Sequence, residues 1–237
     1  MTSTGQSEYD PTQAAEGPDW LPFARWGLWE LNLLGWPLLA IVALLIWLGG
    51  VWQWLAVAPA VLLFLIVYFF RDPPRRIPTE AGAIVAPADG KIVDVTPLDD
   101  YEFIGGPAVR VGVFLSIFNV HINRAPCDGR VIETHYQPGK FLNAMRPESA
   151  TENESMWIGF ESLDQPTRRF AVRQISGMFA RRIVCKLRPG QTVERGAKFG
   201  MIKLGSRTEL ILPPDAQVLV QVGDKIRAGR DVVARWT

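Results

Sequence analysis

From Leu31 to Phe70 the chain carries no Asp, Glu, Lys or Arg. The block is about twice the roughly 20 residues that one helix needs to cross a bilayer, and Gly49-Gly50 divides it into residues 31–48 and 51–70. This predicts two helices joined by a tight turn. Because they are apolar on every side, they suit a membrane hairpin better than a buried soluble pair. Pro37 and Pro59 would also allow a shallower, re-entrant hairpin. Residues 1–19 are polar, with Pro, Gly, Ser and Thr throughout, and predict a disordered acidic tail. After Phe70 the prolines of Arg71-Asp-Pro-Pro-Arg-Arg-Ile-Pro78 stop any helix. Short β-branched runs punctuated by glycine follow, and residues 83–95, 109–116, 130–135, 170–174, 182–187, 209–212, 217–222 and 231–235 are predicted strands. The expected organisation is a tail over 1–19, a membrane-associated helical hairpin over 20–70 and a β-rich domain over 71–237.

Weak internal repetition refines the β domain. Pro87-Ala-Asp-Gly-Lys-Ile-Val and Pro126-Cys-Asp-Gly-Arg-Val-Ile share a turn that feeds a β-branched strand. Val193-Glu-Arg-Gly-Ala-Lys-Phe-Gly and Val222-Gly-Asp-Lys-Ile-Arg-Ala-Gly share a second rhythm. Such turns resemble those of the lipoyl and biotinyl carrier domains, so the expected fold is mainly β, barrel-sandwich-like, with quasi-repeated hairpins. No lysine stands in the tip context that a swinging cofactor needs.

Charge adds an orientation. The 237 residues carry a formal net charge of +1, which speaks against nucleic-acid binding by bulk charge. Residues 1–30 set Glu8, Asp10, Glu16, Asp19 and Glu30 against Arg25, a net of −4, so residues 71–237 hold +5. Arg25 precedes the apolar block, Arg71, Arg75 and Arg76 follow it, and its turn is uncharged. The positive-inside rule therefore puts both ends, and the β domain, on the cytoplasmic face of the cell membrane. Trp20, Trp26, Trp29, Trp36, Trp47, Trp52 and Trp54 lie in or beside the block, several near its ends, where an interfacial belt would sit. The acidic stretch ahead of it does not fit a cleavable signal peptide. Cys127 and Cys185, with only His121 and His135 to join them, match no zinc spacing, so no metal is expected and each cysteine reads as a buried thiol.

Three stretches could carry chemistry: Ala86-Pro-Ala-Asp-Gly-Lys around Asp89, Ile117-Phe-Asn-Val-His-Ile-Asn-Arg-Ala-Pro around His121, and Gly200-Met-Ile-Lys-Leu-Gly-Ser-Arg around Ser206. Each alone has an ordinary reading. Asp-Gly is a turn pair whose carboxylate caps its own backbone, a single histidine in a β segment is commonly structural, and Gly-Ser suits a hairpin. In this order, however, the stretches resemble the short, pyruvoyl-dependent form of the phosphatidylserine decarboxylase family. That family carries a PADG segment, a VH-containing segment and, near the C-terminus, an LGS self-cleavage motif, matched by Leu204-Gly205-Ser206. The apolar hairpin and the linker Phe70-Arg71-Asp72-Pro73 with Arg76-Ile77-Pro78 match as well. Two positions depart. Arg207 replaces the usual Thr after the serine, and Phe118 stands where longer members have a second histidine.

The resemblance implies that Ser206 attacks the carbonyl of Gly205, with His121 as base and Asp89 orienting the imidazole. Cleavage between 205 and 206 would give a large chain, 1–205, and a small chain, 206–237, whose Ser206 becomes a covalent pyruvoyl group. That carbonyl would form a Schiff base with phosphatidylserine and act as the electron sink for decarboxylation to phosphatidylethanolamine and carbon dioxide. His121 would return the proton. The partners implied are a phospholipid substrate in the membrane and, from exposed strand edges, a homodimer. Residues 140–157 read as a surface loop or a lipid-facing lid. The competing expectation is a non-enzymatic, membrane-anchored sandwich module for binding or assembly.

Overall fold

The computed structural model describes residues 22–143, 148–178, 182–203 and 205–237. The tail over 1–19 lies outside them. A 3-10 turn, Arg25–Gly27, leads into α1 (Leu28–Leu48). After Gly49-Gly50 come α2 (Trp52–Leu55) and α3 (Val57–Phe69), which pack back along α1. Two helical spans, Arg25–Leu48 with 24 residues and Trp52–Phe69 with 18, are long and apolar enough to cross a membrane. At 1.5 Å per residue they reach about 36 and 27 Å, close to the roughly 30 Å of a bilayer's hydrocarbon layer. Among the described residues, the apolar windows of the two spans are only 6% and 11% buried within the molecule, unlike a mostly buried core helix of a soluble protein.

The rest is mainly β, as the alternation predicts. The strands are β1 (Ala83–Val85), β2 (Gly90–Tyr101), β3 (Gly106–Leu115), β4 (Ile122–Arg124), β5 (Gly129–Gln137), β6 (Ser155–Ser162) and β7 (Arg169–Ile175). They continue as β8 (Ile183–Cys185), β9 (Thr192–Val193), β10 (Lys198–Ile202), β11 (Ser206–Leu212), β12 (Ala216–Val218), β13 (Lys225–Ile226) and β14 (Val232–Trp236). An eight-stranded curled sheet runs β13-β2-β3-β11-β7-β6-β5-β9, with two three-stranded sheets, β1-β14-β12 and β4-β10-β8. Its inner face holds the main core, where Phe160 and Phe170 stack with ring centroids 4.8 Å apart.

The two Pro-x-Asp-Gly repeats are structural equivalents, whereas the second pair is equivalent four residues away from the match read in sequence: Val193 corresponds to Ile226 and Gly196 to Gly229, since Val193 pairs with Gly129 as Ile226 pairs with Gly90. Each Pro-x-Asp-Gly turn opens a strand at its glycine, β2 at Gly90 and β5 at Gly129. Each second-type repeat supplies the short strand that pairs with it, β13 on β2 and β9 on β5. The Asp carboxylates do the same work: Asp89 accepts the Ala228 N–H at 2.8 Å and Asp128 accepts the Arg195 N–H at 2.7 Å.

Three expectations change. The run 83–95 is two strands in different sheets, because the Pro87–Asp89 turn carries the chain from one to the other. Strand β10 was hidden by Gly200, whose missing side chain is required: a Cβ there would lie 2.3 Å from the Val184 carbonyl oxygen. Residues 140–157 are more than a loop: Lys140 bridges to Asn153, a short helix α4 spans Ser149–Glu152, and β6 begins at Ser155. Residues 144–147 of that stretch lie outside the described ones. Cys127 is buried and Cys185 half-buried, and burial raises both thiols, Cys185 to about 11.

The hairpin is docked, not merely tethered. Ala24 N–H donates to the Phe70 carbonyl and Asp72 N–H to that of Pro22, both at 2.7 Å. Ala24, Phe69 and Phe70 pack with Val120, Ile122 and Met201 of the β domain, and Glu30 of α1 pairs with Lys203. The base of the hairpin thus forms one wall of the region holding His121.

Candidate active site

The central strand β11 is buried along its whole length between β3 and β7, and Ser206 is its first residue. Gly205, just ahead of it, has φ +57°, and a Cβ there would meet nothing within 4 Å. The glycine is thus demanded by its left-handed backbone and not by crowding. The Ser206 hydroxyl is fully buried and makes no hydrogen bond among the described residues. Leaving it unmet costs stability, of order 1–3 kcal/mol by general experience; the Ser176 hydroxyl is unmet in the same way, and Ser206 differs in standing next to Gly205 and His121.

His121 comes to this junction from 84 residues upstream. Its Nε2 accepts the Gly205 N–H at 3.3 Å, and its Nδ1 lies 2.9 Å from the Asn119 carbonyl. A carbonyl only accepts, so Nδ1 carries the hydrogen and Nε2 keeps its lone pair toward Gly205. The ring is fully buried and lies 4.5 Å, centroid to centroid, from Phe69 at the end of α3. Burial lowers its pKa from 6.5 to about 4; the Asn119 carbonyl opposes that and the nearby Arg71 charge adds to it. His121 is therefore a neutral imidazole at neutral pH, its Nε2 lone pair held by the Gly205 N–H next to Ser206.

Asp89 does not orient that imidazole: the Asn119 carbonyl occupies Nδ1, and both Asp89 oxygens are engaged elsewhere. Besides capping the Ala228 N–H, Asp89 takes the Arg75 Nη2 at 3.0 and 2.8 Å. The carboxylate caps a backbone N–H, as an Asp-Gly turn suggests, but of a distant turn and not of its own, and Asp128 does the same in the other repeat. What Asp89 adds is the buried Arg75 pair and a place in the wall of a cleft that also includes Asn119.

Period-two alternation carries further residues beside the pair. Two positions after His121, Asn123 donates to the Thr208 hydroxyl at 3.0 Å, and Thr208 stands two positions after Ser206. Gln174 on β7 donates to the Asn123 side-chain oxygen at 2.9 Å. This buried polar chain fixes β4 against β11, and hence His121 against Gly205. Its sequence signal was the matching two-residue step in the His121 and Ser206 stretches. Arg207, the departure from the motif, points to the other face, where Glu209 Oε1 accepts its Nε at 3.0 Å and Asp94 pairs with it. The substitution is balanced by carboxylates and leaves the Gly-Ser pair untouched. Phe118 is 58% exposed, so the position of the family's second histidine lies on the surface here.

A family model described as phosphatidylserine decarboxylase matches residues 62–234. A phosphatidylserine decarboxylase proenzyme from Rhodopirellula baltica is 48% identical over 218 residues, covering 91% of this chain and 89% of its own length. One from Nitrosomonas eutropha is 42% identical over 207 residues, covering 85% and 93%. One from Chlorobaculum parvum is 48% identical over 180 residues, covering 75% and 82%.

Proposed function

The chain belongs to the phosphatidylserine decarboxylase family, and we propose that this enzyme matures by cutting itself between Gly205 and Ser206, then turns phosphatidylserine into phosphatidylethanolamine and carbon dioxide. One observation carries the reading: a neutral imidazole with its lone pair at the Gly205 amide, beside a buried serine hydroxyl with no partner among the described residues. The non-enzymatic alternative finds no support in the family match.

In the first step His121 Nε2 exchanges the Gly205 N–H for the Ser206 hydroxyl and takes its proton as the oxygen attacks the Gly205 carbonyl carbon. The Gly205–Ser206 C–N bond breaks, and His121 returns the proton to the departing amine. The product is an ester between the two chains. Removal of the Ser206 α-proton then expels the Gly205 carboxylate and leaves a dehydroalanine. Water replaces its nitrogen, which departs as ammonia, and residue 206 becomes a pyruvoyl group. Ser206 fits that group, since its buried side chain has no hydrogen bond to forfeit among the described residues. When formed, the group supplies an electron-accepting carbonyl for the pair left behind by carbon dioxide. His121 Nε2, loaded with a proton that the substrate's ammonium group sheds on binding, then delivers it to the former carboxylate-bearing carbon. Asn119 holds the imidazole in its tautomer, the Asn123–Thr208 bond holds the strand that carries it, and Asp89 acts as a positioning residue through the Ala228 turn and Arg75.

The domain reading is an anchor over residues 20–70 and a catalytic domain over 71–237, which becomes chains 1–205 and 206–237. Arg25 and Arg71 flank the two spans, which supports a cytoplasmic face for the catalytic domain. Docking the hairpin base beside His121 keeps the acyl chains in the bilayer while the head group reaches the site. Denaturing electrophoresis with a carbon dioxide assay tests this proposal. The native protein should run as two chains and release carbon dioxide, and Ser206→Ala should run as one and release none. Activity from an uncut Ser206→Ala protein would refute it.

A further inference from the structure

Where the chain leaves α3, a cleft of about 1060 Å³ opens between the hairpin base and the β domain. Arg71, Arg75 and Arg76 line it from the linker, and Lys91 from the start of β2. Across from them stand Lys225 on β13 and Arg227 and Arg230 in the turn after it. Against these seven cations the lining has one carboxylate, Asp89, already paired with Arg75. Arg71 spends its guanidinium on the carbonyls of Tyr68 and Phe118, and Arg230 lies 3.5 Å from Asp231. Among the described residues, Arg76, Lys91, Lys225 and Arg227 face no carboxylate. So many like charges in one concave space repel one another and are relieved by a bound anion.

Its place says which anion. Arg71 is two residues beyond the last residue of α3, the end of the apolar span, where a flanking arginine meets the lipid head groups if the span crosses. The loop that forms the neighbouring wall, from Ser116 to Val120, exposes Ile117 by 46% and Phe118 by 58%, and Arg71 ties the Phe118 carbonyl down at 2.6 Å. An apolar tip fixed beside the helix end marks that side of the cleft as facing lipid. The same loop continues through Asn119 into His121, so the cleft borders the candidate active site.

We propose that this cleft holds the phosphodiester of the lipid substrate, with Lys225 and Arg227 as its principal ligands. The proposal rests on the decarboxylase reading above and adds the residues that grip the substrate. It also accounts for turnover: decarboxylation removes the head group's carboxylate, so the product leaves with a net charge of zero where the substrate entered with a net charge of about −1, and the cationic cleft holds it less tightly.

The test is the double variant Lys225→Gln/Arg227→Gln in the full-length, membrane-anchored protein, both sites being exposed. Carbon dioxide release is measured from monomeric dihexanoyl phosphatidylserine, with self-cleavage as the check on folding. KM should rise about tenfold, which is about 1.4 kcal/mol, with kcat little changed. Inorganic phosphate should inhibit the unaltered protein competitively and inhibit the variant far less. The charge-keeping variant Lys225→Arg/Arg227→Lys should restore most of the affinity, separating charge from packing. An unchanged KM in a self-cleaved double variant would overturn the proposal. So would an unchanged KM together with weaker binding to phosphatidylglycerol vesicles, which would make the cleft a contact for bulk lipid. An unaltered protein that neither cuts itself nor releases carbon dioxide would instead overturn the reading underneath.

Discussion

Lowering the pH from 7 to 5 should leave self-cleavage nearly unchanged. With a pKa of about 4, His121 is about 90% neutral at pH 5 and essentially all neutral at pH 7. An imidazole at the ordinary 6.5 would be only about 3% neutral at pH 5, and a rate that depends on the neutral base would fall about 25-fold. The same burial gives stability a definite sign. The unfolded chain takes up a proton near 6.5 that the folded His121 refuses until about 4, so stability falls with falling pH across that window. The gap of about 2.5 pH units, at 1.36 kcal/mol each, is worth about 3 kcal/mol in all and about 2 kcal/mol by pH 5. The assay is precursor made by cell-free synthesis into detergent or nanodiscs, shifted to each pH and followed by gel, with circular dichroism in the same buffers. A 25-fold loss of rate between pH 7 and 5, with the dichroism intact, would show that His121 is not the buried, neutral base described.

Asp128→Asn removes one hydrogen bond to the Arg195 N–H and should cost about 1 kcal/mol by chemical denaturation, whereas Asp89→Asn also strands the buried Arg75 guanidinium and should cost about 3–5 kcal/mol; only Asp89→Asn should slow self-cleavage, and normal cleavage in both would reduce Asp89 to a structural residue. Phe170→Ala, which empties one ring of the Phe160 stack, should destabilise the β domain by about 3–5 kcal/mol in a thermal melt. Asn123→Ala strands the buried Thr208 and Gln174 groups and should cost about 1–3 kcal/mol while slowing cleavage; normal cleavage kinetics would detach this chain from His121 placement.

The hairpin was legible because its signal is local: forty consecutive residues without a charge need no partner to be read. The paired turns around Asp89 and Asp128 were legible for a similar reason, since both repeats keep the Asp-Gly step that opens a strand. Strands such as β10 were not, because Gly200 breaks the alternation for the sake of a Val184 carbonyl far along the chain. Of the site, Ser206 and His121 stand out as residue types, and the structure brings His121 to Gly205. The Asp89–His121 contact was an inference from triad logic, and the fold spends that carboxylate on Arg75 instead. The cationic cleft escaped notice because its walls come from the linker, β2, the loop before His121 and the turn after β13, which no window along the sequence brings together.

Intact-mass spectrometry of the purified protein tests the central claim most directly. The account predicts a small chain comprising residues 206–237, with a mass matching a pyruvoyl group in place of its N-terminal serine, and a large chain ending at Gly205. A single uncut mass for residues 1–237, in a preparation that releases carbon dioxide from phosphatidylserine, would contradict it.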